Sequence, residues 1–213
     1  HFSNGNTHYP NAGVNTVGGR VSLIRTFGTH SYQASVETRR KARAEIERYF
    51  SYDVVLYGAT RRKGVIWPDD RVLVPGAFGV AGIHINPMYN LNACFRAGIS
   101  LDAQYDESAN IKDHVVGDDR SAENIRFYRP PFREQFGVGL SLRAELVMPI
   151  FSINLGVGHN VFYQGEDLKG FYQIAALKTS ITRRLFLHVG YQLRNFKDPN
   201  NLMLGLGYRF NGR

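Results

Sequence analysis

Apolar and polar residues alternate strictly through much of this chain. Ala93, Phe95, Ala97, Ile99, Leu101, Ala103 and Tyr105 fall on one parity, and Asn92, Cys94, Arg96, Gly98, Ser100, Asp102 and Gln104 on the other. Phe136, Val138, Leu140, Leu142, Ala144 and Leu146 alternate in the same way with Gly137, Gly139, Ser141, Arg143 and Glu145. So do Leu185, Leu187, Val189, Tyr191 and Leu193, and then Leu202, Leu204, Leu206, Tyr208 and Phe210. Successive side chains of a strand point to opposite faces, so each segment predicts a strand with one oily and one polar side. Phe186 and Met203 are the exceptions, apolar on the polar parity. The pattern places strands at 15–27, 46–62, 72–87, 91–106, 134–148, 151–163, 170–182, 184–195 and 200–210.

A soluble sandwich or lipocalin-like barrel has the same period, so the second face decides between them. Arg96, Asp102, Arg143, Glu145 and Arg194 sit among small residues within the strands, which suits a polar interior behind a lipid-facing wall. The strands are also long, roughly 11–17 residues against about 5–6 in globular proteins. The final Leu-Gly-Tyr-Arg-Phe, 206–210, resembles the aromatic last strand of bacterial outer-membrane proteins. The expected fold is all-β, an antiparallel transmembrane β-barrel occupying 1–213 as a single domain. Its nine strands and a stub at His1–Asn4 form an odd set with bare edges, which lipid does not tolerate. The expectation is therefore of a fragment lacking upstream strands. With a periplasmic C-terminus, the connections at 63–71, 107–133, 164–169 and 196–199 are external, and tight turns near Pro87–Tyr89, Pro149–Ile150 and Arg183–Arg184 are periplasmic. The segment 28–45 falls on the periplasmic side and is unexpectedly long.

Composition narrows this further. Mean hydropathy is −0.28 and no apolar run reaches the ~18 residues of a membrane helix, which leaves a membrane barrel open. The lone Cys94 excludes a disulfide framework. The chain opens within a motif, without Met or leader, consistent with a missing natural N-terminus. A net charge of +8 gathers at Arg39-Arg40-Lys41-Arg43, Arg61-Arg62-Lys63 and Arg183-Arg184, all at expected strand ends or connections. Lipid phosphates suit these positions. No helix-turn-helix, zinc spacing or base-stacking motif accompanies them, so no nucleic-acid partner is expected.

The candidate chemistry lies at the start. His1 and Ser3 are two apart, and on an extended segment they share a face, as a base and a hydroxyl nucleophile require. A second cluster, Pro10-Asn11-Ala12-Gly13-Val14-Asn15, follows; Pro10, Asn11 and Gly13 also serve as ordinary turn residues. Counting turns puts both clusters near the outer-leaflet end of the wall.

His1-x-Ser3-Asn4 followed by Pro10-Asn11-x-Gly13-Val14 resembles the signature of the outer-membrane lipid A 3-O-deacylases and their longer relatives, the acyloxyacyl hydrolases of Bacteroidetes-type bacteria. The resemblance implies an esterase in the bacterial outer membrane that removes an acyl chain from lipid A, with lipopolysaccharide and outer-membrane lipids as partners and no cofactor. It implies that Ser3 is the nucleophile, His1 its base, and Asn4 and Gly5 the surroundings of the oxyanion. The family's third member is a Glu that orients the histidine, and here Asn15 stands in its place. An amide can fix the imidazole tautomer but cannot balance an imidazolium with a full charge. Glu37, Glu45 and Glu47, the nearest acids downstream, fall at the opposite membrane edge. A noncatalytic barrel, either a small pore or a structural protein, is the alternative.

The remaining polar residues suit structural roles. His84, His159 and His188 lack acids or cysteines at metal-ligand spacing and are expected to be hydrogen-bonded structural histidines, so no metal site is assigned. Glu107, Asp113, Asp118, Asp119 and Glu123 make an acidic outer loop without calcium-loop glycine spacing. Arg96, Asp102, Arg143, Glu145 and Arg194 are expected to form a network inside the barrel. Trp67 and the aromatic strand ends suit interfacial girdles.

Overall fold

The computed structural model describes residues 48–66, 71–116, 126–196 and 198–211. Eight long strands, β1 (Phe50–Arg61), β4 (Phe78–Asn90), β5 (Phe95–Asp106), β8 (Phe136–Val147), β9 (Phe151–Phe162), β10 (Phe171–Ser180), β11 (Leu185–Arg194) and β12 (Asp198–Phe210), make up its body. Two short hairpins in the connections supply β2 (Gly64–Ile66) with β3 (Arg71–Leu73), and β6 (Val115–Val116) with β7 (Arg126–Phe127). One turn of helix, α1 (Phe132–Gln135), leads directly into β8. Each long strand pairs antiparallel with its sequence neighbours, and β1 pairs with β12, so the sheet closes into a barrel. Closure removes the sheet edges, whose unpaired backbone groups lipid could not satisfy.

Eight of the nine expected strands are these barrel strands, with ends shifted by a few residues. The ninth, 15–27, lies outside the described residues, as do the stub at His1–Asn4 and the segment 28–45. The expected odd count is corrected: among the described residues the ring holds eight strands, and both edges of β1 are taken, by β4 and β12. It is complete between Phe50 and Phe210 without a strand from upstream.

The turn expected near Pro87–Tyr89 is also displaced. The strand continues through Pro87 to Asn90, and the chain reverses at 91–94. Proline is tolerated here because β4 keeps its pairing with β1 at Tyr52↔Pro87, while the β4–β5 pairs skip Asn86 and Pro87 and resume at Met88↔Gly98. Gly98 supplies the space: a Cβ there would lie 2.1 Å from the Pro87 carbonyl oxygen.

The barrel is inside out by the standard of soluble proteins. Leu56, Ile99, Leu142, Leu155, Leu204 and Leu206 face outward, with Leu142 70% exposed. Asp53, Arg96, Asp102, Arg143, Glu145 and Lys178 are buried within. Phe186 and Met203, the two exceptions to alternation, do point inward. Phe186 sits beneath Lys178 and Arg209, whose charged ends lie 5.3 and 5.6 Å from its ring centre, a cation–π placement. Long connections (62–77, 107–135 and 163–170) leave one end, and the turns 91–94, 148–150 and 181–184 close the other. Aromatic residues mark both rims: Tyr105 and Phe171 at the long-loop end, Phe50, Tyr89, Tyr208 and Phe210 at the short-turn end.

Candidate functional site

The residues singled out for chemistry, His1, Ser3, Asn4, Gly5 and Asn15, lie outside the described residues, and so do Glu37, Glu45, Glu47 and Trp67. What the barrel shows is the interior chemistry of the wall that follows them.

Two knots of polar side chains fill it. At the short-turn end, Asp53 and Glu145 share Arg96, Lys178 and Arg209. Asp53 accepts from both terminal nitrogens of Arg96 at 3.2 Å, from Lys178 Nζ at 3.1 Å and from Arg209 Nε at 2.8 Å. Glu145 accepts from the same cations at 3.0, 2.6 and 3.4 Å, and from Ser152 and Asn154 at 2.9 and 3.1 Å. The knot ties together β1, β5, β8, β9, β10 and β12. Both buried carboxylates are paired as buried charges must be, and the third cation, Arg209, keeps part of its side chain in solvent. The side chains of Asp53, Glu145, Arg96 and Lys178 lie buried across this end of the barrel interior.

Farther toward the long loops, Asp102 is the hub. It receives His84 Nδ1 at 2.7 Å, Arg143 Nη2 at 2.8 Å, Ser141 Oγ at 2.7 Å, Tyr172 Oη at 2.6 Å and the hydroxyl of Ser100. Tyr57 stacks on the His84 ring, with centres 4.7 Å apart, and donates its hydroxyl to Gln104 at 3.1 Å. Glycine makes room for Tyr172: a Cβ at Gly158 would lie 2.4 Å from its ring.

Serine, histidine and aspartate meet here, but not as a hydrolytic site. Ser141 donates to Asp102 rather than to His84, and the group is enclosed within the barrel. A nucleophile must hydrogen-bond to its base and reach its substrate.

Arg96, Asp102, Arg143 and Glu145 are therefore interior network members, as expected. Arg194 is not. It stands at the long-loop rim, donating to the Glu166 carbonyl and 3.8 Å from Asp167. The expectation of hydrogen-bonded histidines holds for His84 alone among the three. His188 is buried inward with neither ring nitrogen bonded to a protein atom, and His159 faces outward against Phe171. Asp53, Lys178 and Arg209 were missing from the expected network. Alternation was the available signal, since Asp53 falls on the same parity as Ser51, Val55 and Tyr57.

At the long-loop rim, Arg61 pairs with Asp106 at 2.9 Å. Asp167 is held by Lys63 and by the Asn110 backbone N–H at 2.9 Å. Of the acidic outer loop, Glu107 pairs with Arg129 and Asp113 is exposed, while Asp118, Asp119 and Glu123 lie outside the described residues.

A closed antiparallel ring with ions inside, hydrocarbon side chains outside and aromatic rims is an outer-membrane β-barrel. The sequence profile of the acyloxyacyl hydrolase C-terminal domain matches residues 50–212, so the chain belongs to that family, and it is a protein of the bacterial outer membrane. Among solved structures it is similar to Ail, the attachment invasion locus protein of Yersinia pestis. In complex with the heparin analogue sucrose octasulfate, Ail is 18% identical over 76% of this chain and 98% of its own, with a TM-score of 0.41. A nanodisc structure of Ail is 17% identical over 75% and 99%, with a TM-score of 0.36. No curated protein matches the chain.

Proposed function

We propose that this protein hydrolyses an acyl ester of lipid A in the outer leaflet, using the Ser/His motif that precedes its C-terminal barrel. Membership of the acyloxyacyl hydrolase family carries this reading, together with the His1-x-Ser3-Asn4 signature upstream of the matched domain. Within the barrel, Ser141 and His84 are both held by Asp102 and not by each other, and the outward His159 rests on Phe171.

In this mechanism His1 takes the proton of Ser3 as its Oγ attacks the ester carbonyl. Asn4 and the Gly5 backbone N–H stabilise the developing oxyanion, at about 3–4 kcal/mol per donor in other enzymes. Collapse expels the alcohol, which takes its proton from His1, and water then releases the fatty acid from Ser3. Asn15 holds the imidazole by hydrogen bonding, without the charge of a carboxylate. The test is mass spectrometry of lipid A from cells carrying the full-length protein or its Ser3→Ala variant. One acyl chain should be missing with the former and present with the latter; identical lipid A in both sinks the enzyme. Asn15→Glu should raise hydrolysis if the catalytic frame is intact.

Asn15 in place of the family's Glu is the observation favouring the second reading, a noncatalytic barrel. Within that reading, the Asp53–Glu145 knot favours a structural protein over a pore, so negligible planar-bilayer conductance is expected.

A further inference from the structure

We propose that the outer wall where β5 and β8 leave the membrane on the long-loop side is a docking site for a phosphorylated lipid of the outer leaflet. Outward pairs Ile99↔Leu142, Leu101↔Leu140, Ala103↔Val138 and Tyr105↔Phe136 climb the seam between the two strands. The lower ones are an acyl-chain surface, since Ile99 and Leu140 are half exposed and Leu142 more so. Phe132 then folds back from α1 over the top of the seam. Its ring lies 5.6 Å from that of Tyr105 and 5.8 Å from that of Phe136, at interplanar angles of 21° and 14°. Yet it remains 65% exposed. A phenylalanine stacked on the outside of a barrel and still uncovered is completed by hydrocarbon, at the depth where aromatic side chains mark the membrane interface.

Cations stand at this shelf. Arg129 donates to the Tyr105 hydroxyl at 2.6 Å and pairs with Glu107 at 2.9 Å, while its side chain stays 64% exposed. Arg133 follows Phe132 in sequence and is exposed, as is Arg126. Of the described acids in this connection, Glu107 engages Arg129, Glu134 is turned to His114 at 2.8 Å, and Asp113 is exposed. Arginine forks match phosphate oxygens, and cations near an anionic leaflet add attraction. The β9–β10 rim also carries cations, Lys169 beside Glu166 and Arg194 on the Glu166 carbonyl and near Asp167. No outward aromatic stack like that of Phe132 is seen there among the described residues. Apolar stripe, aromatic shelf and exposed arginines coincide at β5–β8, in the order tail, interface and headgroup of one lipid.

This site rests on the membrane barrel and not on the esterase. The full chain carrying Ser3→Ala removes any turnover from the measurement. Refolded in detergent and offered bisphosphorylated lipid A, it should give a one-to-one adduct by native mass spectrometry, and far less with dephosphorylated lipid A. Arg129→Gln with Arg133→Gln should weaken the adduct by about thirtyfold, and Phe132→Ala by less. Arg62→Gln, an exposed arginine elsewhere on the long-loop end, should leave it unchanged. Folding of each variant is checked by its heat-modifiable gel mobility. Equal binding of the dephosphorylated lipid overturns the proposal, and so does an unchanged adduct in the folded double variant. Intact lipid A in cells alongside a phosphate-dependent adduct would defeat the esterase and leave this site standing.

Discussion

The two interior knots solve the problem of burying carboxylates in different ways. Near the short turns, Asp53 and Glu145 draw on one common set of cations, so each ion is held by charges from several strands. Near mid-barrel, Asp102 has a single arginine and otherwise relies on hydroxyls and an imidazole. The first arrangement is a sharing of opposite charge, and the second is mainly a satisfaction of lone pairs. Losing a carboxylate from the first leaves three cations around one acid. Losing it from the second leaves one arginine among neutral groups. Breaking a buried ion set from one side is the costlier event.

The comparison is sharpest when shape is kept and charge removed. Glu145→Gln should destabilise the folded barrel by about 3–5 kcal/mol, read as a lower urea midpoint in detergent micelles. Asp102→Asn should cost about 2 kcal/mol, because an amide oxygen still accepts from Tyr172 and Ser141. If Asp102→Asn proves as damaging as Glu145→Gln in the same titration, shared charge is not what separates the knots.

Tyr172→Phe probes the second knot more gently. It deletes one donor to Asp102 and leaves the others in place, so a loss of about 1–1.5 kcal/mol is expected. A loss near that of Asp102→Asn would instead make Tyr172 the principal support of the hub.

Much of this arrangement was legible in the alternation of residues. A period of two fixes which side chains share a face, and charged residues on one parity within long strands identify that face as the interior. That logic placed Arg96, Asp102, Arg143 and Glu145 correctly. It missed Asp53 and Lys178 because the surrounding Val55, Tyr57, Ile174 and Ala176 are apolar residues that also point inward, blurring the two faces. Arg194 was misplaced because a strand end obeys the alternation while its side chain reaches the loops. Pro87 looked like a turn because proline breaks ladders, and the accommodating Gly98 lies on the next strand, out of reach of local sequence. Closure at eight strands depends on β1 meeting β12 across the whole barrel, which no local pattern encodes. The Ser/His signature, by contrast, was legible as a motif alone and stands apart from the described fold.

The smallest expected effect concerns the rim, where Asp167 clasps the 163–170 connection to Lys63 and Asn110. Burial pushes Asp167 upward, but Lys63 and the Asn110 N–H outweigh it, leaving its pKa below the ordinary carboxylate value. Burial and Arg61 likewise lower Lys63 despite Asp167, which matters only on the alkaline side, since Lys63 stays protonated in acid. A carboxylate with a lowered folded pKa contributes stability that is complete above its unfolded value of about 3.9 and disappears as pH falls through the folded one. Amide hydrogen exchange across 163–170 should therefore be slow near neutrality, corrected for intrinsic rates, and rise as pH drops below about 4. Asp167→Asn should abolish that acid-side change while leaving the urea midpoint nearly unaltered, because the clasp fastens a connection and not the ring. A fall in the midpoint comparable to that of Tyr172→Phe would mean the rim carries as much of the barrel's stability as the mid-lumen knot, and the contrast between regions would have to be redrawn to include it.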